Sequence, residues 1–109
     1  MAYDESLAER LRGALAGQPK LVEKKMFGGI AFMVRGNMCC GVVGSDLMAR
    51  IGPEEFEAML KRPHAREMDF TGKPLRGFLY VDREGVRTDG QLRRWVEKSL
   101  KYVLSLPPK

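Results

Sequence analysis

Apolar positions change period several times along this chain, and each change marks an element. Leu7, Leu11, Ala14 and Leu15 recur at helical spacing. Ser6 and Glu9 have the spacing of a capping box, and Gly17 followed by Pro19 closes the segment, so a first helix is predicted. Three short segments follow, "LVEKKMF" (21–27) and the apolar runs "IAFMV" (30–34) and "MCCGVV" (38–43), with Gly28-Gly29, Gly36 and Gly44 between and after them. They read as strands. Gly44-Ser45-Asp46 turns the chain into a fourth strand, "LMARI" (47–51).

Gly52-Pro53 opens a short helix, because proline at the first helical position forfeits an N–H that has no partner there. Phe56, Met59 and Leu60 are its apolar stripe and Pro63 stops it. A polar connection, "PHAREMDFTGKP", leads to the strand "LRGFLYV" (75–81) and the turn "DREG" (82–85). Thr88 and Gln91 form a capping box for the last helix. Its inner face is Leu92, Trp95, Val96, Ser99 and Val103, with Arg94, Lys98 and Lys101 on the opposite side, and Pro107-Pro108 ends it. The order α-β-β-β-β-α-β-α with short hairpins predicts a two-layer α+β domain on a mainly antiparallel five-stranded sheet. The whole chain, 1–109, reads as one such domain.

The paired cysteines Cys39 and Cys40 are the first candidate for chemistry. A hairpin turn centred on Gly36 and Asn37, residues that tolerate positive φ, would pair Val34 with Cys39 and Met33 with Cys40. Neighbouring strand residues point to opposite faces. On this register the two thiols cannot share a metal or bond to each other, and they read as packing residues. With one histidine, His64, and no CxxC, the chain lacks the roughly four ligands that a zinc site requires. No metal and no cofactor is expected.

Composition narrows the setting. The 109 residues are 44% hydrophobic and 30% charged, ordinary for a globular protein able to bury a core. No apolar run approaches the roughly 20 residues of a membrane span. The polar start "MAYDESLAER" is not a signal peptide, so a cytoplasmic location with reduced thiols is expected. The net charge of +5 permits an acidic partner such as nucleic acid without requiring one.

His64 has Glu67 and Asp69 nearby in sequence, but no nucleophile motif accompanies it, so it reads as a solvent-facing residue. Gly28-Gly29 is followed by a strand rather than a helix, which argues for a turn and against a phosphate loop. Arg62, Arg66, Lys73, Arg76, Arg94 and Lys98 are the candidate contacts for an anion or nucleic acid. Glu97 sits four residues from both Arg93 and Lys101, the pattern of a solvated helix face.

The predicted register leaves a second apolar sheet face, with Ala31, Met33, Met38, Cys40 and Val42. Helices cover one face of a two-layer domain, and an uncovered apolar face marks an interface. Met33, Met38 and Cys40 are the candidate contacts for a protein partner or a second copy.

"KKMFGGIAFMVRGNMCCGV", "RIGPEEFEAML", "RPHAREMDFTGKPLRGFLYVD" and "LRRWVEKSL", in this order, resemble the TfoX/Sxy N-terminal domain from about residue 8 to 107. The most telling positions are Met26 to Gly29, with Phe70, Gly72, Pro74 and Gly77. They are turn and packing residues. The resemblance implies an α+β fold with an antiparallel sheet, and a regulator of bacterial competence genes acting with a transcription factor. It brings no enzyme activity and no cofactor. The full regulators carry a second, C-terminal domain that this sequence does not include. The expected function is a non-enzymatic regulator module that binds protein, with direct nucleic-acid binding as the alternative.

Overall fold

The computed structural model describes residues 3–26, 28–70 and 73–108, and for residues 26, 68–70 and 73–76 it describes the backbone alone. The elements run α1 (Glu5–Ala14), β1 (Val22–Met26), β2 (Gly29–Val34), β3 (Asn37–Val43), β4 (Asp46–Arg50), α2 (Phe56–Leu60), β5 (Ala65–Phe70), β6 (Lys73–Val81), a 3₁₀ turn (Arg83–Val86) and α3 (Asp89–Val103). The α+β class is as expected. The sheet has six strands in the order β1-β2-β3-β4-β6-β5, and every neighbouring pair is antiparallel.

The added strand is β5, formed by the segment read as a polar connection. It pairs with β6 from Ala65↔Val81 to Phe70↔Lys73. An edge strand is paired on one side only, so it can be polar along much of its length and carry no apolar signature.

The helices all pack on one side of the sheet. Leu7, Leu11 and Leu15 of the first segment, Phe56 and Met59 of α2, and Leu92, Trp95, Val96 and Val103 of α3 join one core with Phe32, Val42, Leu47, Leu79 and Val81. Phe32 is fully buried. Burying a side chain of that size contributes about 1.5–3 kcal/mol.

Helix ends follow local chemistry. The α3 capping box forms as read, with the Thr88 hydroxyl accepting from Gln91 N at 3.1 Å and Thr88 N donating to the Gln91 side chain at 2.9 Å. At α1 the cap is Asp4 rather than Ser6. The Asp4 carboxylate accepts from Ser6 N at 2.9 Å and Leu7 N at 3.2 Å. An acceptor two and three residues ahead of those amides satisfies two free donors at once.

The β2–β3 hairpin corrects the predicted register. Arg35 (φ 55°) and Gly36 (φ 83°) are the central turn residues, and Asn37 already belongs to β3, paired with Val34. Two positive φ values in a two-residue loop match the twist of the flanking strands. Arginine rarely adopts this conformation, and tertiary contacts hold it. Arg35 N donates to Pro19 O at 3.2 Å, and Arg35 Nη1 donates to Leu104 O at 3.3 Å. Beside them Asn37, 2% exposed, donates from Nδ2 to Pro107 O at 3.0 Å.

A bulge follows. Met33 pairs with Met38, but Phe32 pairs with Cys40, which leaves Cys39 as the extra residue. The shift turns Cys40 and Val42 toward the helices. Cys39 and Cys40 therefore lie in the same core rather than on opposite faces.

Candidate functional site

Three places were candidates for function. The cysteines are the first, and burial closes them. Cys39 is 0% and Cys40 1% exposed, and both are free thiols. Cys40 Sγ donates to Cys39 Sγ at 3.8 Å. That hydrogen bond, and then burial, pushes the Cys40 thiol well above its ordinary range. A buried thiol held in its neutral form is a poor nucleophile and a poor ligand. Among the described residues no group of three His, Cys, Asp or Glu side chains could hold a metal ion.

The second place is the sheet face that carries no helix. Cross-strand pairing puts Ala31, Gly41, Met48, Tyr80 and Arg66 in one row, and Met33 and Met38 in the row beside it. Ala31 and Met48 are buried there under Met38, Val43, Phe78 and Tyr80. Of the three contacts read from sequence, Met33 and Met38 lie on this face and are half-buried. Cys40 lies on the other side of the sheet.

Two arginines flank the apolar centre. Arg50 Cζ lies 5.5 Å from the centroids of both Phe78 and Tyr102, and Arg66 Cζ lies 5.1 Å from that of Tyr80. Arg66 also bonds the carboxylates of Asp46 and Asp82. The guanidinium is thus neutralised by two acids and stacked on a ring, an arrangement that orders the sheet edge. Arg66 is set apart from the other basic candidates.

The third place is a cleft of about 500 Å³ where α3 meets the end of α2 and the turn before β5. Arg62, Arg94 and Lys98 line it, joined by Lys101 and His64. Three of the six predicted anion contacts are therefore brought together. Arg66 is elsewhere, and the side chains of Lys73 and Arg76 lie outside the described residues. Trp95 and Met59, 7% and 6% exposed, form the apolar part of the lining.

The charge partners in the cleft are not those read from the helix alone. Glu55, at the start of α2, accepts from Lys98 Nζ at 2.9 Å and lies 3.9 Å from Lys101 Nζ. The Lys98 hydrogen bond, with the charges of Lys98 and Lys101, holds the Glu55 carboxyl below its usual range. Among the described residues Glu97 forms an ion pair with neither Arg93 nor Lys101, and Lys101 lies toward Glu55 instead. Sequence reasoning missed Glu55 because it comes from a different helix, 43 residues away.

The family model for the TfoX N-terminal domain matches residues 13–103, most of the chain. The chain belongs to the TfoX N-terminal domain family. No curated protein and no solved structure gives a significant match. The match spans β1 through α3, so both the open sheet face and the cleft lie within the TfoX N-terminal domain. No helix among its described residues is long and apolar enough to cross a membrane.

Proposed function

We propose that this TfoX N-terminal domain is a non-enzymatic, cytoplasmic regulator module of the competence-regulator type. It works by binding protein through the open face of its sheet. The supporting observation is the apolar centre formed by Met38, Met48, Phe78 and Tyr80 on the side away from α1, α2 and α3. Methionine and aromatic side chains on a rigid sheet give an adaptable contact surface with little ordering cost. The partner is a transcription factor or a second copy of the chain.

Crosslinking in extract of the native cell, with wild type and Met38→Asp compared side by side, tests this. Light scattering of the pure protein reports the second-copy case. The expected result is a specific protein adduct or a dimer that Met38→Asp removes while circular dichroism shows the variant still folded. A wild-type monomer without adducts, or adducts that persist in the variant, ends the reading.

Nucleic-acid binding is the second reading, supported by Arg62, Arg94, Lys98 and Lys101 at one cleft. Phosphate contacts release counterions, so affinity for duplex DNA or RNA should fall steeply between about 50 and 200 mM salt. Fluorescence anisotropy that shows no binding, or binding indifferent to salt, removes it.

A further inference from the structure

We propose that the cleft beside Trp95 is a binding site for a small organic anion, a phosphate or carboxylate group on a short apolar body. This goes beyond macromolecular contact, and it rests on a different surface from the sheet face.

A cleft of about 500 Å³ falls within the range of small-molecule sites. Its lining is mixed. Trp95 and Met59 give an apolar floor, while Arg62, Arg94, Lys98 and Lys101 stand against a single lining carboxylate, Glu97. An inorganic ion would leave the exposed edge of that floor in water, and a neutral apolar molecule would leave Arg62 and Arg94 unanswered. A ligand with both parts satisfies both.

Some of these charges are already used. Lys98 is committed to Glu55 at 2.9 Å, and Lys101 leans on the same acid. Among the described residues no carboxylate lies within ion-pair distance of Arg62 or Arg94. Two guanidiniums without acid partners beside an apolar floor are suited to an oxyanion, since each offers a planar fork of N–H donors.

The wall opposite α3 is built at a conformational cost. His64 has φ 72°, a left-handed conformation that is costly for a residue with a Cβ. Its carbonyl accepts from Asp82 N at 2.9 Å, which fixes the turn. Gly85 makes the close approach possible. A Cβ there would meet Val81 Cγ1 at 2.7 Å and His64 Cβ at 2.8 Å. The chain thus holds a strained turn at a tight packing point, and the result is the side of the cleft.

Trp95 is the single tryptophan, so its emission reports this cleft alone. The protein is titrated with phenyl phosphate and with benzoate, followed by fluorescence and by calorimetry. Inorganic phosphate and benzyl alcohol serve as half-ligands. The expected result is saturable binding of at least one aromatic anion, with each half-ligand weaker by roughly tenfold or more, as the loss of a charge-assisted contact implies. Arg62→Ala and Arg94→Ala, both at exposed positions, should each weaken that binding by a similar factor.

Absence of saturable heat and emission change with both aromatic anions overturns the proposal. So does binding that survives in the Arg62→Ala, Arg94→Ala double variant. Competition by a phosphoserine peptide or duplex DNA at lower concentration than phenyl phosphate would assign the cleft to a macromolecule and also overturn it.

Discussion

The guanidinium of Arg12 on α1 grips the carboxylate of Glu23 on β1 through two hydrogen bonds, Nε to Oε2 at 2.6 Å and Nη2 to Oε1 at 2.8 Å. The same guanidinium lies 5.9 Å from the centroid of the Phe32 ring. The fork fixes the first helix to the outermost strand, and it holds the Glu23 carboxyl below its usual range.

A pH dependence follows from that shift. A carboxylate with a lowered folded-state pKa contributes stability that is complete above the unfolded value, about pH 4, and is lost as pH falls through the folded value. Both side chains are about a third exposed, 39% and 34%, so the contribution is at most about 1 kcal/mol. Urea midpoints of wild type and Glu23→Gln should differ by a constant amount from about pH 7 to pH 5 and converge below about pH 4. A difference that does not shrink in acid contradicts the assignment.

Ser99 is fully buried on α3, and its hydroxyl has no hydrogen-bond partner among the described residues. Leaving a buried polar group unpaired costs about 1–3 kcal/mol, and alanine is the better helix former. Ser99→Ala should therefore raise the unfolding free energy by about 1 kcal/mol. A lowered midpoint in chemical denaturation would show that the hydroxyl is satisfied.

Gly52 has φ 89°, and a Cβ at that position would stand 2.3 Å from Cδ1 of Tyr102. Gly52→Ala combines an unfavourable backbone with a clash against the ring, and Tyr102 is also the ring beside Arg50. A loss of about 2–3 kcal/mol is expected in thermal or denaturant unfolding. Gly52→Ala combined with Tyr102→Ala should lose less than the sum of the two single changes, because the ring that clashes is gone.

Thiol reagents should find both cysteines closed. In native protein, Cys39 and Cys40 should react with an aromatic disulfide reagent only at the rate of unfolding, and at once in denaturant. Cys40→Ala leaves a small void, whereas Cys40→Ser places a hydroxyl in the core and should be less stable than Cys40→Ala by about 1 kcal/mol or more. Fast labelling of the native state would mean that the β2–β3 hairpin opens locally.

The sequence was most legible where one periodicity governs one element. The inner face of α3 matches its pattern residue by residue, because Leu92, Trp95, Val96, Ser99 and Val103 are its buried positions. The register of β2 and β3 was not legible. Gly36-Asn37 carries the usual turn chemistry, but Arg35 takes the left-handed position because Pro19 O and Leu104 O receive its donors. Those partners are distant in sequence, and the Cys39 bulge leaves no compositional trace. The basic residues were visible as a set, but which of them converge depends on where α2 lies against α3. Arg62 and Arg94 share the cleft, while Arg66 is taken by Asp46 and Asp82.

The strand order also has a consequence for assembly. β1 to β4 are joined by successive hairpins, β5 and β6 form a hairpin of their own, and the two groups meet along the β4–β6 ladder. Local pairings of this kind close quickly, so the slow step of folding should be the docking of the β5–β6 arm. Pro53 and Glu54 are exposed between the two groups, outside every strand. A chain cut there yields fragments 1–53 and 54–109, which must find each other through that ladder and through α3. Their reassociation would be a second-order process, giving this small sheet the properties of a split reporter.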